Sequence, residues 1–169
     1  RDDVDESYQP LNYEMIKEAL EERFGGKWQI VIRLHNRLKK ESRSWLNLLP
    51  SYVSDATFYE DMQELLLCTD VGLTDYSSWI FDFVLSGKPG FIIELNLEDY
   101  ENARGFYYPI DTTPFPIATS SEELADNIRK FDAEKYAKDK DVFLAARGCM
   151  EDGHASERIV EKINELMAK

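Results

Sequence analysis

Apolar positions along this chain alternate between two rhythms, one helical and one extended. Leu11, Met15, Ile16, Ala19, Leu20 and Phe24 recur at helical spacing, and Gly25-Gly26 ends that run. Trp28 to Leu34 is apolar and β-branched, which predicts a buried strand ending at His35. Residues 36–49 are polar and show no clear period. Tyr52-Val53 predicts a second strand, and Asp61 to Cys68 a helix with Met62, Leu65 and Leu66 on its apolar face. Val71 to Thr74 reads as a short buried strand, Asp75-Tyr76 as a polar turn, and Ser77 as the start of a helix that Gly87-Lys88-Pro89 breaks. Phe91 to Leu95 is another apolar strand. A connection rich in aromatics follows (Tyr100, Phe106, Tyr107, Tyr108, Phe115), then a short edge strand at Ile117-Ala118-Thr119. Ser120-Ser-Glu-Glu123 has the form of a capping box, opening a helix to about Phe131. Helical spacing resumes over Ala133 to Ala146 and again over His154 to Met167. Strands alternating with helices predict an α/β fold with a doubly wound parallel sheet, here one domain over residues 1–169.

The most informative stretch is the strand–turn–helix around Asp75-Tyr-Ser-Ser78. A helix start leaves about four backbone N–H groups unpaired and carries partial positive charge. After a strand of an α/β sheet, such a start is a phosphate site. Ser77 and Ser78 place two hydroxyls there. The same serines also suit an ordinary N-cap, and chemistry alone leaves both readings open.

Composition narrows the class. The net charge is −13, which argues against broad nucleic-acid binding and against anchoring to anionic lipid. It does not oppose a small anionic ligand, because salt screens charges beyond about 10 Å. Two cysteines, Cys68 and Cys149, are too few for a disulfide framework or a zinc site and predict reduced thiols in a cytoplasmic protein. The apolar runs are too short to span a membrane, and Arg1-Asp-Asp-Val-Asp-Glu6 does not have the form of a signal peptide.

Five pieces in order carry a family resemblance. Asp61-Met-Gln-Glu-Leu-Leu-Leu-Cys-Thr-Asp-Val-Gly-Leu-Thr-Asp-Tyr-Ser-Ser-Trp-Ile-Phe-Asp-Phe83 resembles the signature of the CDP-glycerol glycerophosphotransferases, the polymerases and primases of teichoic acid in bacterial cell walls. Arg1-Asp-Asp3 resembles the tail of the family's Pro-Thr-aromatic-Arg-Asp-Asp segment, and Arg33-Leu-His35 its strand ending in His. Tyr100 with Arg104-Gly-Phe-Tyr107 resembles its aromatic loop, and Asp152-Gly-His-Ala-Ser-Glu-Arg158 its closing motif. Two positions depart from the pattern. Asn36 stands where the family often has Pro, and Gly72 where its strand is usually apolar.

The resemblance implies a GT-B architecture of two facing Rossmann-like domains, of which this chain is the C-terminal, donor-binding half. It implies transfer of glycerol phosphate, or another alditol phosphate, from a CDP-alditol to a hydroxyl of a lipid-linked teichoic-acid acceptor, with release of CMP. The acceptor face and the general base then belong to a missing N-terminal domain, and the fragment alone is expected to be inactive. No cofactor and no metal are implied, since GT-B transferases generally use helix dipoles and cationic side chains. Asp2-Asp3 is poor evidence for a metal site. The full-length enzyme is expected at the inner face of the membrane as a peripheral protein. The rival readings are a GT-B glycosyltransferase using a nucleotide sugar and a non-catalytic nucleotide-binding remnant.

Residue by residue, the resemblance gives Ser77 and Ser78 to the donor pyrophosphate. It gives His35 the catalytic role of stabilising a phosphate oxygen as CMP leaves; a satisfied histidine is the alternative. Arg104 suits donor phosphates with its guanidinium fork, or a salt bridge bracing the loop. Glu123 stands where an acid can meet the ribose or base, and the capping box explains it equally. Arg33 reads as structural, Asp75 as a turn brace, Asp82 as a buried hydrogen-bonding group, and Asp152 and Ser156 as caps of the last helix. His154 is the weaker histidine for a site, at the variable position of the closing motif.

Overall fold

Four of the described α-helices begin where a short polar side chain accepts from the open first turn. The computed structural model describes residues 11–34, 49–94 and 109–168. Helix α1 (Tyr13–Phe24) starts at Asn12, whose side chain accepts from the Met15 N–H, and ends at Gly25 with φ 74°. Helix α2 (Met62–Cys68) is capped by Asp61 on the Glu64 N–H. Helix α3 (Trp79–Phe83) runs into a 3₁₀ turn (Val84–Ser86) closed by Gly87 at φ 71°. Helix α4 (Ser121–Arg129) is capped by Ser120, and α5 (Ala133–Ala146) by Asp132. Helix α6 (Ala155–Met167) closes the described chain.

Among the described residues every strand pairing is parallel, as the α/β expectation requires, and the ladders form two sheets. Strands β1 (Ile30–Ile32) and β2 (Val53–Asp55) pair with Ile30 opposite Val53. Strands β3 (Gly72–Thr74), β4 (Gly90–Ile93) and β5 (Ile117–Ala118) pair in that order, with Thr74 opposite Ile92 and Ile92 opposite Ile117. β4 is central and all four of its residues are buried, the pattern of a parallel strand covered on both faces. β5 is the edge strand that the sequence predicts.

β1 is shorter and more exposed than the apolar run Trp28 to Leu34 suggests. Trp28 leaves the ladder to donate its indole N–H to the Gly25 carbonyl at 2.8 Å and to pack on Phe24. Arg33 bonds the carbonyls of Ala56 and Tyr59, and Leu34 N–H bonds the Thr57 hydroxyl at 3.1 Å. Arg33 is thus the structural brace its position implies, fastening the loop after β2.

The core joins Ile16, Ala19 and Leu20 of α1 to Leu124, Ala125 and Ile128 of α4, with β4 beside them. Arg23 clamps the two helices by donating twice to the Phe131 carbonyl, at 3.0 and 2.8 Å. Phe131 packs on Phe91 at 5.5 Å and on Tyr136 at 5.2 Å, carrying the core into α5. Among the described residues no helix is long and apolar enough to cross a membrane.

Candidate functional site

Two strand–helix junctions leave the carboxyl edge of the β3–β4–β5 sheet, where α/β folds place ligands. The first runs from β3 to α3. Gly72 lets α3 lie directly on the strand, since a Cβ there would stand 2.7 Å from the Phe83 ring and 3.2 Å from Trp79. Thr74, buried at the end of β3, accepts the Ser77 N–H on its hydroxyl at 3.2 Å. Asp75 Oδ1 accepts the Tyr76 N–H at 2.7 Å, which makes it the turn brace expected. The chain then closes tightly, with Phe81 N–H on Ser78 O at 3.0 Å.

The helix begins two residues later than Ser77, because Ser78 is the N-cap, with φ −65° and ψ −12°. Its helical dihedrals turn its side chain away from the capping position, and it makes no side-chain cap bond. Ser77 and Ser78 are both exposed, and neither hydroxyl is hydrogen-bonded among the described residues. The ordinary N-cap explanation therefore does not account for this pair of serines. Since α3 has only five residues, any attraction for an anion rests on local N–H and O–H groups more than on a long helix dipole.

The second junction runs from β5 to α4, and here the polar groups satisfy one another. Ser120 Oγ accepts the Glu123 N–H at 3.1 Å. Glu123 Oε2 accepts the Thr119 N–H at 2.8 Å and the Thr119 hydroxyl at 2.9 Å. The Thr119 backbone N–H, and then its hydroxyl, hold the Glu123 carboxyl below the usual range. The capping box of the sequence is present, with the acid reaching one residue further back than the usual pattern. Glu123 remains exposed, and its second oxygen carries no bond among the described residues.

Between these junctions Glu94 directly follows β4; its N–H bonds Ala118 O at 2.7 Å and its residue surface is only 9% exposed. A nearly buried carboxylate at the ligand-binding edge is a candidate that the sequence reading passed over. Its signal was an acid ending the apolar run Phe91-Ile92-Ile93. His35 and Arg104 lie outside the described residues, as do Asp2 and Asp3. The fold thus brings Ser77, Ser78 and Glu123 to one sheet edge and leaves the other two candidates unlocated.

Three expectations are corrected. Asp82 is exposed, because Ile80 and Phe83, three residues apart, form the inner face of α3 and Asp82 falls on the opposite side. Asp152 does not cap α6. It accepts the His154 N–H at 3.0 Å and two bonds from Arg158, at 2.7 and 2.8 Å, which hold its carboxyl below the usual range. Ser156 lies inside the helix, and His154 takes the N-cap position and contacts Glu157 at 3.0 Å. Lys88, inside the helix-breaking Gly87-Lys-Pro89, donates to the Leu67 and Thr69 carbonyls and closes the end of α2.

A shallow groove of about 850 Å³ lies between α1 and α4, away from the serine turn. Glu14, Glu18, Glu122, Glu123 and Asp126 outnumber Arg129 and Lys130 along it, so it does not suit a diphosphate. No group of three or more His, Cys, Asp or Glu side chains among the described residues is placed to hold a metal. Cys68 and Cys149 are exposed free thiols.

Comparison with known proteins adds a family. The model of the family described as CDP-Glycerol:Poly(glycerophosphate) glycerophosphotransferase matches residues 1–165. The teichoic acid glycerol-phosphate transferase of Staphylococcus aureus is 32% identical over 161 residues, which is 93% of this chain and 40% of that protein. The teichoic acid poly(ribitol-phosphate) polymerase of Bacillus spizizenii is 35% identical over 146 residues, 78% of this chain and 23% of that protein. The solved structure of the wall teichoic acid polymerase TagF superposes with a TM-score of 0.69 at 26% identity, covering 96% of this chain and 40% of that one. The chain therefore spans at most about two fifths of these relatives.

Proposed function

Because this chain belongs to the CDP-glycerol:poly(glycerophosphate) glycerophosphotransferase family, we propose that residues 1–169 are the donor-binding domain of such an enzyme. In the complete protein, an acceptor hydroxyl attacks the phosphorus that carries the alditol. The phosphoanhydride bond to CMP breaks, CMP takes the bonding electrons, and a phosphodiester forms. The acceptor is a lipid-linked, teichoic-acid-like polymer, held with the general base by the part of the protein outside these residues. A peripheral position at the inner membrane face follows from that acceptor.

The observation that carries the reading is the pair of exposed serine hydroxyls with no hydrogen-bond partner among the described residues, at a strand–helix turn that Thr74 already braces. Ser77 and Ser78 bind the donor pyrophosphate through hydroxyls and backbone N–H groups. His35, three residues past the end of β1, and Arg104 supply positive charge to the leaving phosphate. Glu123 offers its second carboxylate oxygen to the ribose or base. Phosphoryl transfer needs chiefly positioning and charge stabilisation, which such groups provide without a metal. A TagF variant has been solved after soaking with CDPG, which supports a CDP-alditol as the ligand to try first.

The test is calorimetric titration of the full-length protein with CDP-glycerol, CDP-ribitol, UDP-glucose and CMP, repeated on Ser77→Ala/Ser78→Ala. Selective CDP-alditol binding that the double variant weakens supports the reading. Preference for UDP-glucose would make the protein a glycosyltransferase, and binding of none of the four would make it a non-catalytic remnant.

A further inference from the structure

A third polar group stands between the two junctions of the carboxyl edge. Glu94 directly follows β4, and its N–H on Ala118 O carries the β4–β5 ladder one step past the strand. The register fixes its neighbours. Ile92 lies opposite Thr74 on one side and opposite Ile117 on the other. Side chains alternate along a strand, so Glu94 falls on the face of Ile92, with Thr74 on its β3 flank and Thr119 on its β5 flank. Thr74 braces the serine turn, and Thr119 holds Glu123. Glu94 thus stands one strand spacing, about 5 Å, from the chain on either side.

Burial separates Glu94 from the other acids of this edge. Asp75 and Glu123 are exposed, while Glu94 is nearly buried. Water competes for an exposed carboxylate, so a ligand hydroxyl adds little there; at a nearly buried one the same bond is stronger. Glu94 has a protein interaction of its own. A carboxylate offers about four acceptor sites, so it can hold that partner and a ligand hydroxyl together. Its charge also selects the part of a donor it can meet, since it repels a diphosphate and accepts from hydroxyls. A CDP-alditol carries hydroxyls at both ends, on the alditol and on the ribose. Bond count tells them apart. The first free hydroxyl of an alditol phosphate is on the second carbon from the phosphate oxygen, and that of a nucleotide is on the third, within the ring. With the diphosphate on Ser77 and Ser78, a group one strand away meets the nearer hydroxyl, and Glu123, one strand further along the edge, is left to the nucleoside.

We propose that Glu94 recognises the alditol of the donor, its carboxylate accepting a hydrogen bond from the hydroxyl on the second carbon from the phosphate. The inference rests on the reading of this chain as a donor-binding domain, and it names the residue that selects the group to be transferred. Glu94 takes no part in breaking the phosphoanhydride bond. It favours a donor whose phosphate carries a polyol over one whose phosphate carries a plain alkyl chain.

The test titrates the full-length protein, Glu94→Gln and Glu94→Leu by calorimetry with three ligands: CDP-glycerol, the propyl ester of CDP, which lacks both glycerol hydroxyls, and CDP-glycerol lacking both ribose hydroxyls. The parent is expected to prefer CDP-glycerol over the propyl ester by at least about tenfold. A neutral acceptor makes a bond about half as strong, so the preference should fall to about threefold in Glu94→Gln. It should vanish in Glu94→Leu, which has no acceptor. Both variants should bind the propyl ester as the parent does, and a purely structural role would instead weaken every ligand and leave the ratio unchanged. Three results would overturn the proposal: a parent that does not distinguish CDP-glycerol from the propyl ester, variants that keep the parent's ratio, or variants that lose discrimination against the ribose-deficient donor instead, which would give Glu94 to the ribose. Binding of both CDP-glycerol and the propyl ester with an unchanged ratio in the variants removes only the assignment of Glu94. A parent that binds none of the three ligands removes the donor-binding reading, and this assignment with it.

Discussion

The two junctions at the carboxyl edge of the three-stranded sheet start from similar sequences and come to opposite ends. Thr74-Asp-Tyr-Ser-Ser78 and Ala118-Thr-Ser-Ser121 both lead from a parallel strand into a helix through paired serines. At the β5–α4 junction, Ser120 caps Glu123 and Glu123 holds Thr119, so the polar side chains close on one another. At the β3–α3 junction, Thr74 takes the bracing role from behind, and Ser77 and Ser78 leave both hydroxyls facing solvent. The first arrangement uses its serine for stability. The second keeps its serines available, which is what a binding turn requires.

The sharpest break between them is in ligand affinity. Ser77→Ala/Ser78→Ala removes two hydroxyls from a charged diphosphate, each bond to a charged group being worth about 1.5–3 kcal/mol. CDP-alditol affinity is expected to fall at least about tenfold, while the free energy of urea unfolding stays within about 0.5 kcal/mol of the parent. Ser120→Ala should do the reverse. It removes a working N-cap, costs about 1 kcal/mol of stability, and leaves donor affinity nearly unchanged. A double variant at Ser77 and Ser78 that unfolded like Ser120→Ala would turn the serine turn back into an ordinary cap.

The first junction has its own structural requirement, in Gly72. A methyl group there meets the buried Phe83 ring at 2.7 Å. Gly72→Ala should destabilise by about 1–3 kcal/mol, measured by chemical denaturation, as α3 is pushed off β3. The donor site should weaken with it, since Ser77 and Ser78 sit on the segment that moves. An unchanged stability would mean that the helix does not lie on the strand as described.

How much of this was legible from the residues varies by element. The range Ala133–Ala146 and the capping box at Ser120 were readable because each is local, a period or a four-residue pattern. The short span of β1 was not, since its late start depends on Trp28 turning back to Gly25 and its early end on Arg33 reaching across to Ala56. Asp82 sits between Phe81 and Phe83 and so reads as part of an apolar run, but the turn of 100° per residue puts Phe83 with Ile80 and Asp82 on the other side. The serine turn itself was visible, but its distinction from a cap depends on Ser78's dihedrals and on Thr74, and neither can be read from serine spacing. Glu94 lies inside the strand that the sequence predicts over Phe91 to Leu95, and an apolar pattern assigns no role to the acid within it, while the fold keeps it nearly buried just after β4.

The smallest expected effect separates the two junctions by pH. The Thr119 N–H and hydroxyl favour the ionised form of Glu123, so its folded pKa lies below the ordinary 4.5. A depressed carboxyl stabilises the fold above its unfolded pKa, and that stabilisation fades as pH falls through the folded value. Glu123→Gln keeps an acceptor oxygen for Thr119 and removes the charge. The parent should therefore be slightly more stable than Glu123→Gln at pH 7, and the gap should close as unfolding is followed below pH 4.5. Ser77 and Ser78 do not titrate, so their variants should run parallel to the parent over the same range. A Glu123→Gln gap that persisted to low pH would mean that the carboxyl packs at the β5–α4 junction without using its charge, and the contrast between the two turns would then rest on the hydroxyls alone.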